Sequence, residues 1–340
     1  MSESNGNPWG ISFSQGLFNM TSDSRLFLDQ PATDTLPLYE AKMIHQFDHR
    51  WATYGLNGER GMANGERGMA NGDDADRSSH TADSRDVTDE EKGNPRFTVT
   101  PRYWVRADEV EQRLKDKGWT RGWLMGWRDI CRATDYRTLI ANVIPRIAVG
   151  DKFLLMMPDC SPSQAAALLG CLNSLTCDFV TRQKVGGTSL KYFTMKQIAV
   201  LPPSHYTETD LAFIVPRVLE LTFTAWDLLP WAEDLVSDLP IATDYSPLTT
   251  RGDSPLTPYP FNPTRRAILR AELDAWYARA YGLTRDELRY ILDPADLMGE
   301  DYPSETFRVL KNKEQKEFGE YRTQRLVLAA WDQLETGELS

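Results

Sequence analysis

Long apolar runs are missing from this chain. No stretch approaches the roughly 20 uninterrupted apolar residues that a bilayer-crossing helix needs, so no membrane partner is expected. Residues Met1 to Gly10 hold neither a basic start nor an apolar stretch, so no secretory signal is read there and a cytoplasmic location is expected. Cysteine is scarce: Cys131, Cys160, Cys171 and Cys177 are the four in 340 residues, spaced 29, 11 and 6 apart. Those spacings match no paired Cys-x-x-Cys zinc pattern, and buried, reduced thiols are expected. On one continuous helix Cys171 and Cys177 would point to different faces. Histidine is equally rare, with four in the chain. His45 and His49 would share a helix face, but Gln46 stands where the metalloprotease pattern His-Glu-x-x-His needs its carboxylate. A packed or hydrogen-bonded pair is expected, and no metal site.

Catalytic motifs are missing as well. Methyl transfer to exocyclic amino groups uses an Asn/Asp-Pro-Pro-aromatic loop that holds the amino group while the ring stacks on an extruded base. The nearest string, Asn7-Pro8-Trp9, lacks the second proline. No glycine-rich turn follows a clear strand with an acidic residue about 20 positions on, so a nucleotide or S-adenosylmethionine fold is not signalled. No phosphate-binding Walker loop is present. Pro158-Asp159 could open a nuclease motif, but no Glu-x-Lys follows within the next 10–30 residues, and Glu314-Gln315-Lys316 lies far away. No catalytic residue and no cofactor are therefore assigned to this chain.

What is present is an aromatic-rich, acidic protein of mixed pattern. Ten Trp, 13 Tyr and 13 Phe supply ample core material. The net charge is −11, but it is unevenly placed. Residues 101–200 hold 15 Lys and Arg against 9 Asp and Glu, a net +6, between a segment of −7 before and one of −10 after. A basic island of this kind suits an anionic partner.

Four regions are expected. Residues 1–54 form an N-terminal segment packing on the core, with Trp9 to Phe13 as a strand and Leu38 to Phe47 as a short helix or extended piece. Residues 55–95 read as a disordered loop, because the heptad Asn57 to Ala63 is repeated unchanged as Asn64 to Ala70 and has neither helical nor strand periodicity. Residues 96–205 form the dense basic module. Within it Arg106 to Lys117 predicts a helix; Thr138 to Val149 and Lys152 to Met157 predict two strands joined by a tight turn at Gly150-Asp151. Ser163 to Gln183 predicts one long helix capped by Ser161 or Ser163, and Ile198 to Leu201 a strand stopped by Pro202-Pro203. Residues 206–340 are mainly helical, with helices at Leu211 to Leu228, Thr264 to Tyr281, one opened by the Thr284-Glu287 capping box, and two over 304–317 and 320–335. The Arg251-Gly252-Asp253 triplet in the proline-rich linker is taken as coincidence. The fold class is α+β: a mixed-sheet module with flanking helices and a mainly helical C-terminal region.

Within the basic module the chemistry points to recognition. Arg128, Arg132, Arg137 and Arg146 lie among Trp123, Trp127 and Tyr136. They are followed by Arg182-Gln183-Lys184-Val185-Gly186-Gly187-Thr188-Ser189-Leu190-Lys191-Tyr192-Phe193 and then Lys196. Two adjacent glycines let backbone N–H groups approach a phosphate, and Thr188 adds a hydroxyl donor. The arginines and lysines supply charge for counterion release, and Arg and Gln can read guanine or adenine edges. The alternative is a glycine helix cap with ordinary surface charges. Double-stranded DNA is the expected partner, and Arg128, Arg132, Arg137, Arg146, Arg182, Gln183, Lys184, Gly186, Gly187, Thr188, Lys191, Tyr192 and Lys196 are the candidate contacts.

The strings Leu172-Asn173-Ser174, Asp178-Phe179, Arg182 to Thr188, Lys196-Gln197-Ile198 and Leu201-Pro202-Pro203 resemble the C-terminal region of large adenine-specific DNA methyltransferases of type II restriction–modification and phage-defence systems, where methyltransferase and restriction activities are fused. The resemblance extends through Leu38 to Arg50, Gly126 to Ile130, Ile144 to Arg146, Tyr290 to Asp293 and Glu305 to Arg308, leaving out only the repeat-bearing loop and the proline-rich linker. The Gly-Gly-Thr and Leu-Pro-Pro strings are also similar to target-recognition domains of restriction specificity subunits, in which a mixed sheet with a flanking helix lies against the duplex. The resemblance implies that residues 96–205 form a DNA target-recognition module. It also implies that a catalytic domain holding S-adenosylmethionine precedes this region in the family; its motifs are not found in these 340 residues. A separate catalytic methyltransferase polypeptide is then the expected protein partner. An inactive gene fragment and a protein-interaction scaffold of a defence complex are the alternatives.

Overall fold

A computed structural model describes residues 7–55, 84–239, 256–303 and 306–339. The tandem heptad and the Arg251-Gly252-Asp253 triplet lie outside those residues. Nine strands are seen among the described residues: β1 Ser12–Ser14, β2 Thr35–Tyr39, β3 Ala52–Tyr54, β4 Ser84–Asp86, β5 Tyr103–Arg106, β6 Trp123–Arg128, β7 Ala141–Pro145, β8 Ala148–Val149 and β9 Phe153–Met157. The helices are α1 Asp89–Gly93, α2 Ala107–Asp116, α3 Pro162–Asn173, α4 Leu175–Lys184, α5 Tyr192–Met195, α6 Glu208–Thr222, α7 Leu229–Asp238, α8 Pro263–Ala280, α9 Arg285–Leu292, α10 Pro294–Met298, α11 Arg308–Phe318 and α12 Arg322–Thr336. The α+β class stands, with a helical C-terminal region.

The central sheet has the order β1-β9-β6-β7 and is antiparallel throughout. Every residue of β6, β7 and β9 is buried, which explains their continuous apolar runs in place of alternation. A second sheet, β5-β2-β8, is mixed: β2 runs antiparallel to β5 and parallel to β8. The expected hairpin across Gly150-Asp151 is therefore not formed. β7 and β9 flank β6 on opposite sides, and Ala148-Val149 between them is captured by Leu38-Tyr39 of β2.

Other expectations change for equally local reasons. Segment 55–95 is regular from Ser84: β4 pairs with β3, and α1 opens on a Thr88–Glu91 capping box. The long helix over Ser163 to Gln183 is two helices. Ser174 is extended, donates its hydroxyl to the Cys171 carbonyl at 2.8 Å and caps α4 by accepting from the Cys177 N–H at 3.2 Å. Ile198 to Leu201 is not a strand, because side chains take its carbonyls: Tyr281 donates to Ala199 at 2.7 Å and Trp9 to Leu201 at 3.2 Å. The helix drawn over Leu211 to Leu228 ends at Thr222 and is followed by a 3-10 turn and α7.

One apolar core runs from Trp9 to Tyr277, across the boundaries drawn at 54–55 and 205–206. Helix α8 joins it to a second cluster. Leu269, Leu273 and Tyr277, four apart, face the main core, while Ala271, Ala275 and Ala278 face Val327, Ala330 and Trp331 of α12. No helix among the described residues is long and apolar enough to cross a membrane.

Backbone approach within the central sheet leaves no room for a methyl at Gly126. A Cβ there would stand 2.3 Å from the Leu154 carbonyl oxygen on the neighbouring strand and 2.7 Å from the Phe153 ring. Gly126→Ala is expected to cost about 3 kcal/mol through overpacking, read as a lowered urea midpoint at unchanged slope. A change below about 0.5 kcal/mol would mean that β6 and β9 are not this close.

A buried ion pair adds an acid-sensitive element. Lys92 Nζ lies 2.6 Å from Asp48 Oδ2, with both side chains under 10% exposed. Burial pushes the Asp48 carboxyl up, but the charges of Lys92 and Arg266 and the bonds from Lys92 and the Arg50 N–H outweigh it and hold it well below the usual carboxylate range. Since the folded value lies under the unfolded one of about 3.9, this stabilisation is complete above about pH 5 and is lost as the pH falls through 4 and below. In thermal melts, Asp48→Asn is expected to be less stable than the parent at neutral pH, with the gap narrowing below about pH 4. A gap constant with pH would show that Asp48 does not titrate as argued.

Candidate nucleic-acid interface

Strand β6 ends at the buried Arg128, the chain reaches the surface at Ile130, and the loop after α4 runs beside it. Ile130 bridges Ser189 in antiparallel register. Cys131 N–H donates to the Thr188 carbonyl at 3.2 Å, and Leu190 N–H donates to the Asp129 carbonyl at 2.7 Å. Trp127 Nε1 also donates to the Leu190 carbonyl at 2.7 Å, so the loop is pinned from the core side. Helix α4 ends at an extended Val185, whose N–H bonds the Thr181 carbonyl. Neither glycine is the helix cap that the bland reading required.

The loop itself has an unusual property. Gly186, Gly187 and Thr188 are exposed. Neither glycine has a left-handed φ, and a Cβ added at either would meet nothing within 4 Å. Nothing inside the protein demands glycine at these two positions. Among the described residues, the N–H groups of Gly186, Gly187 and Thr188 donate to no acceptor. Three successive N–H groups without an internal acceptor, on exposed residues, are donors that an anion can use.

Charged side chains border the array. Gln183 and Lys184 at the end of α4 are exposed, as is Arg132 beyond Cys131. Lys191, with its side chain 49% exposed, bonds the fully buried Asp129 carboxylate, and Lys152 stands 3.9 Å from the same oxygen. Asp129 thus neutralises part of this positive charge while fixing where both ammonium groups sit. Lys196 is half-buried, with Nζ 6.0 Å from the Phe13 ring centre. A hollow of about 310 Å³ shares Ile130 and Lys152 with this surface and is otherwise lined by Met20, Glu40, Ala41, Lys42, Arg128 and Gly150.

Five of the candidate residues are not presented to a partner. Arg137 is buried between Asp178 and Asp274, 3.9 Å from each. Arg182 is buried and donates to the carbonyls of Ala133, Asp135, Tyr136 and Thr306 as well as to Asp178. Arg146 clamps Glu111 through both carboxylate oxygens and donates to the carbonyls of Trp119 and Arg121. Tyr192 turns inward, its ring 5.7 Å from Phe13 and 5.6 Å from Trp127. Arg128 is 5% exposed and lines the hollow only. Arg137, Arg146 and Arg182 share one cause: each lies within reach of carbonyls or carboxylates from distant segments, which a local string does not reveal. Trp123 and Trp127, the aromatic neighbours of these arginines in the sequence, are core residues at 0% exposure.

The surface also gains residues that sequence reasoning passed over. Ile130 is 45% exposed and Phe193 78%. Lys152 joins them from the start of β9. A helical step of about 100° separates Tyr192 from Phe193 and places the two rings on different sides of this short helix, but the string alone does not say which is buried.

Elsewhere the sparse residues are accounted for. The His45 ring packs on Trp51, tilted by 32° with ring centres 4.4 Å apart, and His49 Nε2 lies 2.9 Å from Asp227. The cysteines are unbridged: Cys131, Cys171 and Cys177 are buried and Cys160 is half-buried. Among the described residues no group of three His, Cys, Asp or Glu side chains is placed to hold a metal. No known protein family, curated protein or solved structure matches the chain.

Proposed function

We propose that this chain reads duplex DNA, in the cytoplasm, as the target-recognition part of an adenine-specific methyltransferase. The observation that carries the reading is the exposed Gly186-Gly187-Thr188 loop: among the described residues its three N–H groups donate to no acceptor, and no internal contact or backbone angle requires glycine at its first two positions. A phosphate oxygen fits such donors, and the missing Cβ atoms let a sugar–phosphate backbone come close. Arg132, Lys184, Lys191 and Lys152 add long-range attraction, and Gln183 is an exposed amide able to pair with adenine N6 and N7. The resemblance of strings from Leu38 to Arg308 to methyltransferase C-terminal regions supports the same assignment and adds the chemistry. Methyl transfer belongs to a catalytic polypeptide that holds S-adenosylmethionine.

Binding of the full chain to a mixed-sequence duplex, followed by fluorescence anisotropy at two salt concentrations, tests the electrostatic part. Four phosphate contacts predict a fall in affinity of about 100-fold between roughly 50 and 200 mM salt. A folded sample that binds no duplex at the lower salt would remove the reading and favour a DNA-independent scaffold.

A further inference from the structure

Phe193 is the most exposed large apolar side chain among the described residues, at 78%. A lone surface phenylalanine is ordinary, but this one is held on a rigid mount. Helix α5 is four residues long, and its inner face is locked by Tyr192 between Phe13 and Trp127 and by Met195 at 0% exposure. The Phe193 carbonyl accepts from Gln197 Nε2 at 3.1 Å, and Lys191 just before the helix is tied to Asp129. With the backbone fixed in this way, only the ring's own rotamer has to be ordered when a partner buries it.

Its surroundings select the partner. Lys191 precedes Phe193 by two residues, and the donor turn at Gly186-Gly187-Thr188 ends five residues before it. Ile130, 45% exposed, sits opposite Ser189 on the other side of that turn. Apolar tips rising from a cationic, donor-bearing surface complement an anionic polymer that has apolar stacking faces between its phosphates. An anionic phospholipid surface also offers phosphates and an apolar layer, and it is the occupant left standing if the chain binds such vesicles and no duplex.

We propose that Phe193 is a wedge that enters duplex DNA at one base step and partly unstacks it, while the glycine turn grips the adjacent phosphate. The proposal rests on the DNA-reading assignment and adds to it a specific mode: the site's preference is set in part by how easily that step opens, and steps that unstack readily are favoured.

The test uses the full chain and a set of duplexes of one bound sequence, carrying 2-aminopurine at successive positions. Wild-type protein is expected to raise the fluorescence several-fold at one or two neighbouring positions and nowhere else. Phe193→Ala should abolish that signal and weaken binding by about 5- to 150-fold, the range found when a base-stacking aromatic is removed. Its salt dependence should stay that of the parent, because the phosphate contacts remain. Phe193→Trp should keep the signal. Wild-type binding with normal salt dependence but no fluorescence change along the duplex overturns the wedge and leaves the DNA reading standing. So does a Phe193→Ala variant with parental signal and affinity. Wild-type protein that binds no duplex overturns both.

Discussion

Arg182→Ala is expected to destabilise the protein by about 3–5 kcal/mol, the cost of breaking a buried, hydrogen-bonded charge cluster from one side. The guanidinium donates to four carbonyls, at distances from 2.6 Å to Thr306 to 3.1 Å to Tyr136, and to Asp178 Oδ2 at 3.2 Å. Asp178 is fully buried and also accepts the N–H groups of Thr138 and Leu139 through its other oxygen. The Phe307 ring lies 4.5 Å below the guanidinium plane's carbon. Removing Arg182 therefore leaves Asp178 with Arg137, 3.9 Å away, as its remaining charge partner, deprives four carbonyls of their donor, and disconnects α4, the 133–136 turn and the segment before α11 at once. Arg182→Lys keeps the charge but cannot reproduce a fork that serves five acceptors, and an intermediate loss is expected. Urea denaturation reads both. A loss under about 1 kcal/mol for the alanine variant would mean that Arg182 is solvated and remains a DNA-contact candidate.

The second large effect concerns binding, not stability. Arg132→Glu combined with Lys184→Glu is expected to weaken duplex binding by about 10- to 100-fold at physiological salt and to lower the salt slope by about 2, one for each phosphate contact removed. Both side chains are exposed, and so the fold should tolerate the change. Lys191 is a poorer probe, because a glutamate there would face the buried Asp129 carboxylate and confuse stability with binding. Lys117→Glu serves as control. It follows α2 beside Trp119, whose Nε1 bonds the Trp123 carbonyl at the start of β6, the end of that strand opposite Arg128. Salt-dependent binding unchanged in the double variant, with the control also unchanged, would move the interface away from the glycine turn.

Which features could be read from the string follows a physical division. Helices α2, α8 and α9 were legible because their signals are local: an acidic first turn and a basic last turn for α2, Pro263 at the start of α8, and the Thr284–Glu287 box for α9. The break at Ser174 was hidden, since an apolar run reads as helix whether or not one hydroxyl interrupts it. β8 was hidden because its partner, β2, is more than a hundred residues away. The candidate site divides in the same way. Lys184 and the glycine turn stayed at the surface, where exposed chemistry depends on little else. Arg137, Arg146 and Arg182 were withdrawn by acceptors contributed from 111, 119, 121, 133–136, 178, 274 and 306, which no spacing rule brings together. Phe193 was passed over because its neighbour Tyr192 has the polar handle that suggests recognition, yet is half-buried against Phe13 and Trp127.

Sequence-selective reading of DNA is the central claim, and selection from a pool of randomised duplexes in the presence of excess non-specific competitor tests it most directly. The account predicts that duplexes retained by the wild-type chain converge on one short motif and that this motif, placed in a defined duplex, still binds when competitor is present. A retained pool indistinguishable from the input, or no retention by a folded sample at low salt, would contradict it.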